Sequence, residues 1–146
     1  MGIAVELVDG VVSKLNETTF GTATVERQFL PEIERKGLTP RIIVTLEGKE
    51  SFELDRGNES IKYKLAVGLS YPTTSVADLD GGLDMIEAIQ DWLALRSNRT
   101  ITTASGSFKL LQPIEMATPF DSAMAQEASL FFSVLTIPYI FYKIRN

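Results

Sequence analysis

The chain has 146 residues, which suits one domain with a sizeable core, and its 45% hydrophobic and 23% charged residues sit near the globular average. It contains no cysteine and no histidine, which excludes disulfides, thiolate or imidazole metal sites and the commonest general base. Its net charge of −5 argues against wrapping nucleic acid, and no segment approaches the ~18 unbroken apolar residues that span a bilayer. Basic residues are spread along the chain, with Lys62/Lys64 and Lys143/Arg145 the nearest to pairs. Met1 to Glu6 has neither the basic patch nor the apolar run of a signal peptide, so none is expected.

Ile3 to Leu15 reads as an amphipathic helix, with Val5, Val8, Val12 and Leu15 on one stripe and Gly10 inside the pattern. Phe20 to Phe29 is rich in Thr and Val and reads as a strand. Pro31 breaks that run, and Glu32 to Lys36 has room for one helical turn before Gly37. Arg41 to Glu47 alternates, and Gly48-Lys49 predicts a tight turn into a second short strand, Glu50 to Leu54. Asp55 to Asn58 predicts a further turn. Ser60 to Tyr71 gives the cleanest period of two, with Ile61, Tyr63, Leu65, Val67, Leu69 and Tyr71 on one side.

Asp80 to Arg96 reads as a second helix with Leu83, Ile86, Ile89 and Leu93 as its stripe. Asp78, Asp80 and Asp84 near its start and Arg96 at its end suit the helix dipole. Ser97 to Gly106 reads as a polar loop, and Phe108 to Met116 as a strand interrupted by Pro113. After a polar segment, Asp121 to Ser129, the chain closes on a long strand from Leu130 to Lys143 with two apolar sides. Pro138 within it cannot donate to a ladder, so an edge or a bulge is expected there. These elements predict a single α+β domain over residues 1–146: a mostly antiparallel, twisted sheet with two helices packed on one face.

Motifs with chemistry are weak. Asp78 to Ile89 faintly resembles a calcium loop, but Gly82, Leu83 and Ile89 occupy positions that the EF-hand gives to Asp or Asn, Gly and Glu. The sequons at Asn16, Asn58 and Asn98 fall at expected turns, where Asn is favoured for its local hydrogen bonds. Ala104 to Ser107 has the composition of a small anion nest but lacks the phosphate-loop lysine pattern. No G-x-S-x-G elbow occurs. No catalytic, cofactor or metal residue is assigned, and the chain is expected not to be an enzyme.

The order of elements and their local texture resemble the tail terminator proteins of long-tailed bacteriophages, the group that includes the lambda-type terminator. An N-terminal helix is followed by F-x-x-x-x-V-x-R-x-x-x-P, here Phe20, Val25, Arg27 and Pro31. R-I-I-V-T-L follows at Arg41 to Leu46, K-Y-K-L-A-V-G-L at Lys62 to Leu69, and D-x-I-E-x-I-Q-D-W-L at Asp84 to Leu93. The closing run matches at Met124, Glu127, Phe131 or Phe132, Ser133, Leu135, Ile137 and Tyr139, with Pro138 a departure from the family texture. The resemblance covers nearly the whole chain as ordered texture.

The resemblance implies a structural virion protein, assembled in the host cytoplasm, that forms a hexameric ring at the head-proximal end of the tail. Such a ring stops polymerisation of the tail tube protein and offers a docking surface to the head connector or neck proteins. It implies no cofactor, no membrane, and at most passive contact with passing DNA, which the net negative charge suits. Expected subunit contacts are the stretch Gly48 to Glu59 with Lys49, Asp55 and Arg56, the stretch Ser97 to Ser107 with Ser105, and the strand around Pro138 and Tyr139. Two rivals stand beside this reading. One is another neck or head-completion ring protein, separable by its position in a particle image. The other is a small enzyme or ligand-binding domain, which requires an enclosed pocket with converging polar groups.

Overall fold

The computed structural model describes residues 2–21, 23–27, 40–53, 58–72, 76–111, 114–118 and 130–144. In chain order these form helix α1 (Ile3–Leu15), strands β1 (Thr24–Arg27), β2 (Arg41–Glu53) and β3 (Asn58–Pro72), and helix α2 (Val76–Ala94). A 3-10 turn at Arg96–Asn98 leads to β4 (Thr100–Thr103), β5 (Gly106–Leu110), β6 (Glu115–Thr118) and β7 (Leu130–Ile144). The expected element that falls on residues 32–36, the turn after Leu54 and the segment 121–129 lie outside the described residues.

The strands join in one sheet of order β1-β2-β3-β7-β5-β4, and β6 pairs with β7. The β1–β2 pair is parallel and every other pair is antiparallel. The fold is therefore α+β with a mostly antiparallel sheet. Its centre is the β3–β7 pair, in register without a break from Asn58 opposite Ile144 to Pro72 opposite Leu130. Period-two alternation explains that stability of register. A slip by one residue would turn Leu65, Val67, Leu135 and Ile137 away from the core.

Leu7, Val8, Val11 and Leu15 of α1 and Ile86, Ile89 and Leu93 of α2 are buried in one cluster with alternate residues of β3 from Ile61 to Leu69 and of β7 from Leu135 to Phe141. Helix α1 approaches β4 very closely: a Cβ built on Gly10 would stand 2.4 Å from Ile101 Cγ2. The glycine that weakens the helical pattern thus allows the helix to seat. The indole nitrogen of Trp92 donates to the Lys14 carbonyl at 3.0 Å and joins the two helices. The end of α2 is closed by side chains: Asn98 Nδ2 donates to the Trp92 carbonyl at 2.8 Å and Arg99 Nε to that of Ala94 at 2.7 Å. The second satisfies a carbonyl that a helix terminus leaves without an intrahelical partner, and the first adds to the Leu95 amide, which already donates to the Trp92 carbonyl.

Four expectations are corrected. Gly48-Lys49 is not a hairpin turn; β2 runs through it, and the register with β3 shifts between Leu46 and Gly48 as a bulge. Glycine supplies a bulge as readily as a turn, and the long partner strand β3 keeps the chain straight. Residues 97–106 are not a loop, because β4 and β5 form a hairpin there with Ile101 opposite Phe108. The β-branched threonines around a single buried isoleucine supply strand preference that a count of polar residues conceals. The stretch 108–116 divides into β5 and β6, which both pair with β7.

Pro138 is the fourth. It sits in the central strand, neither at an edge nor in a bulge toward β3, where its partner is Lys64. Its carbonyl accepts from the Leu111 amide at 2.9 Å, so that residue's ladder groups face away from β3. The missing N–H therefore removes no β3–β7 bond. It falls where β5 stops pairing after Tyr139 and before β6 pairs at Thr136, and this is where a central strand tolerates proline.

Candidate functional site

Alternate residues of β7 from Val134 to Tyr142 lie on the side of the sheet turned away from the core cluster. Val134, Thr136, Pro138 and Ile140 are half-buried and Tyr142 is 59% exposed. This side is divided along its length. Toward one end Ile43 is 1% exposed and Thr45 and Ser70 are also buried. Toward the other end the surface opens. There the register places Lys62 opposite Ile140 on one side and Lys109 opposite it on the other, with Lys64 opposite Pro138.

Strands lie about 4.8 Å apart, so Lys62 and Lys109 flank Ile140 across ~10 Å, and Lys64 lies two residues along from Lys62. Lys64 and Lys109 are exposed and Lys62 is half-buried. Glu50 of β2 stands opposite Lys62. Among the described residues the ion pairs are Lys14–Glu17, Arg27–Asp9 and Arg41–Glu26, so none engages these lysines. The result is a basic rim around an apolar strip of Pro138, Ile140 and Tyr142, on a chain whose net charge is negative.

The sequence-expected contact residues fall in different places. Lys49 is exposed and its Nζ lies 5.8 Å from the ring centroid of Tyr63, a cation–π contact. Burial, and then the charge of Glu59, pushes the Tyr63 hydroxyl above its ordinary pKa. Ser105, at the tip of the β4–β5 hairpin, is held within the chain. Its backbone amide donates to Glu6 Oε1 at 3.1 Å and its hydroxyl to Glu6 Oε2 at 2.6 Å. Those hydrogen bonds hold the Glu6 carboxyl below the usual glutamate range. Asp55 and Arg56 lie outside the described residues.

Tyr139 does not reach the surface. It is fully buried opposite Tyr63, so it supports the core and offers nothing to a neighbour. Its hydroxyl finds no hydrogen-bond partner among the described residues, and burial raises its pKa far above the usual tyrosine value. Of the expected set, Pro138 is the member that lies in the basic-apolar surface. The Lys62/Lys64 pair was visible in the sequence. Lys109 was not, because its stretch was assigned no pairing with the closing strand.

The weak motifs take structural roles. The calcium-like stretch 78–89 lies within α2 and forms no loop. No group of three or more metal-ligating side chains occurs among the described residues. Asn98 is buried and hydrogen-bonded, which closes its sequon to modification in the folded chain. No described helix is long and apolar enough to cross a membrane. The chain matches no model of a known protein family, and no curated protein matches it significantly.

Proposed function

We propose that this chain is a structural virion protein that forms a ring at the head-proximal end of a phage tail. The ring ends polymerisation of the tail tube and presents a docking surface to the head connector. Six copies make the ring, each a domain with both helices on one face of its sheet. The work is geometric: no bond is made or broken, and no catalytic residue, metal or cofactor is assigned.

One observation carries the reading. Among the segments whose texture resembles tail terminators, Arg41 to Leu46, Lys62 to Leu69, Asp84 to Leu93 and the Ser133 to Tyr139 part of the closing run lie wholly within the described residues. They fall in β2, β3, α2 and β7, where β2, β3 and β7 are consecutive strands and α2 packs on β3 and β7. These four segments meet in one contiguous unit of the fold. A half-apolar outer side on β7 also gives a neighbouring subunit something to cover.

The test is assembly. Purified protein, examined by sedimentation velocity and negative-stain imaging, is expected to form rings of six, or to do so when tail tubes are added and then to occupy one end of each tube. A chain that stays monomeric at high concentration and binds no tube overturns the proposal.

A further inference from the structure

Two unpaired charge clusters lie on opposite sides of the domain. The first is the basic rim of Lys62, Lys64 and Lys109 around Pro138 and Ile140, on the side of the sheet away from the core. The second is on α2. Asp80, Asp84, Glu87 and Asp91 are all exposed and recur at i, i+4, i+7 and i+11, one stripe along the helix. Ile86, Ile89 and Leu93 fill the opposite stripe and point into the core.

The acidic stripe has no compensation in its own helix. The sequence from Val76 to Ala94 contains no lysine or arginine. Acids four residues apart repel each other, which destabilises a helix. Neither the acids nor the three lysines enter an ion pair among the described residues. The clusters match in size: Asp80 to Asp91 spans ~16 Å at the helical rise, and the lysine rim ~10 Å across strands by ~7 Å along them. The acids that border the rim are Glu50, opposite Lys62, Glu47, in the bulge beside the Gly48 partner of Lys64, and Glu115, opposite Thr136; none forms an ion pair with a rim lysine among the described residues.

Facing opposite ways, the clusters cannot meet within one chain. We propose that they meet between copies: the acidic stripe of α2 in one subunit docks on the basic rim of the next, with Ile140 and Tyr142 covered at the contact. The contact is head-to-tail, so it propagates and closes into a ring when its rotation permits. The proposal rests on the ring reading and supplies the subunit surfaces which that reading leaves open.

The test is charge exchange. One variant carries Lys62→Glu, Lys64→Glu and Lys109→Glu; the other carries Asp84→Lys, Glu87→Lys and Asp91→Lys. All sites are at the surface, and circular dichroism with thermal melting checks the fold. Where a variant melts early, the milder Lys→Gln or Asp→Asn and Glu87→Gln set replaces it in the single-variant comparison alone, and the mixture uses single charge reversals, Lys64→Glu with Glu87→Lys. Wild-type protein is expected to associate at low ionic strength and loosen as salt rises. Each variant by itself should associate about tenfold more weakly or worse. An equimolar mixture should regain the wild-type size, since each altered surface then meets its complement on the other variant. Alternation closes only rings of even number.

Variants that associate as the wild type does overturn the inference and leave the ring reading standing. So does a mixture that fails to regain assembly. A lysine variant that assembles normally but loses binding to short duplex DNA assigns the rim to nucleic acid, and also overturns it. A wild-type chain that is monomeric at low salt overturns it as well. The ring reading falls with it only if that chain binds no tail tube.

Discussion

Ile137 and Pro138 are chain neighbours under different constraints. Ile137 points into the core, fully buried, in line with Leu135 and Tyr139. Pro138 points to the other side of the sheet, half-exposed, among Lys64, Ile140 and Tyr142. On the core side side-chain volume decides what is tolerated, because neighbours on the helices are already in place. On the outer side charge and access matter more, and a proline or a bulge is accommodated. The alternation of one strand thus separates what holds the fold from what is free to act, and each side can be altered with the other as its control.

The largest expected effect is at Phe108. It is fully buried, stacked on Phe141 with centroids 4.8 Å apart, and edge-on to Tyr63 at 5.8 Å. Phe108→Ala should cost about 3–5 kcal/mol in chemical denaturation. Tyr142→Ala on the outer side should stay within about 0.5 kcal/mol. Equal losses at the two sites would break the distinction. Next comes Gly10→Ala, which forces a methyl into Ile101 and should cost about 1–3 kcal/mol despite the better helix propensity of alanine. A stabilised Gly10→Ala protein would show that α1 does not seat on β4 as described.

Much of the core side was legible from residues. The helix at Ile3 to Leu15 and the alternation from Ile61 to Leu69 reached the structure, because a period of two or of 3.6 is a local signal. The α1 stripe is turned, however: Leu7 and Val11 are buried with Val8 and Leu15, whereas Val5 is exposed and Val12 half-buried. Partnership was not legible. The threonines of β4 read as loop because their strand character depends on pairing with β5, which the sequence does not state. Pro138 read as an edge because the lost N–H was counted without knowing which side it faced. The Leu111–Pro138 hydrogen bond decides that, and it depends on where β5 ends. The basic rim was half visible for the same reason: Lys62 and Lys64 share a strand, whereas Lys109 joins them only through β7. The acidic stripe was open to view, since its spacing lies within one helix. Reading Asp80 and Asp84 as dipole partners obscured their continuation in Glu87 and Asp91.

Tyr139 sharpens the comparison from inside the core. Its hydroxyl is buried without a hydrogen-bond partner among the described residues, so Tyr139→Phe should stabilise the fold by about 1 kcal/mol. The alkaline limb gives an independent reading. Burial raises the folded-state pKa of Tyr139, so the native chain keeps its proton where the unfolded chain has lost it. This contribution is complete below the unfolded pKa of about 10 and is lost as pH rises through and beyond it. Tyr139→Phe should therefore flatten the fall in denaturation midpoint above that range. Tyr63, raised in the same direction, leaves a smaller slope behind. A variant with the wild-type alkaline slope would mean that Tyr139 is solvated in the native state.

The smallest effect concerns Glu6, which ties the surface of α1 to the tip of the β4–β5 hairpin. The carboxylate accepts from both the amide and the hydroxyl of Ser105, and these bonds lower its pKa in the folded chain. For a depressed acid the stabilisation is present above the unfolded pKa and disappears as pH falls through the folded one. The window therefore opens in the ordinary glutamate range and extends below it. Because the site is exposed, water competes for the carboxylate, and the change in global stability should be slight. The local signature is clearer. Amide exchange at Ser105 should be protected at neutral pH and lose that protection on acidification, whereas amides of the β3–β7 ladder should not respond in that window. Glu6→Gln keeps an acceptor but removes the charge, so it should weaken the neutral-pH protection and abolish its pH dependence. If Ser105 exchanged alike in both proteins at every pH, the hairpin would be held by Ile101 and Phe108 in the core, with no contribution from its polar tip.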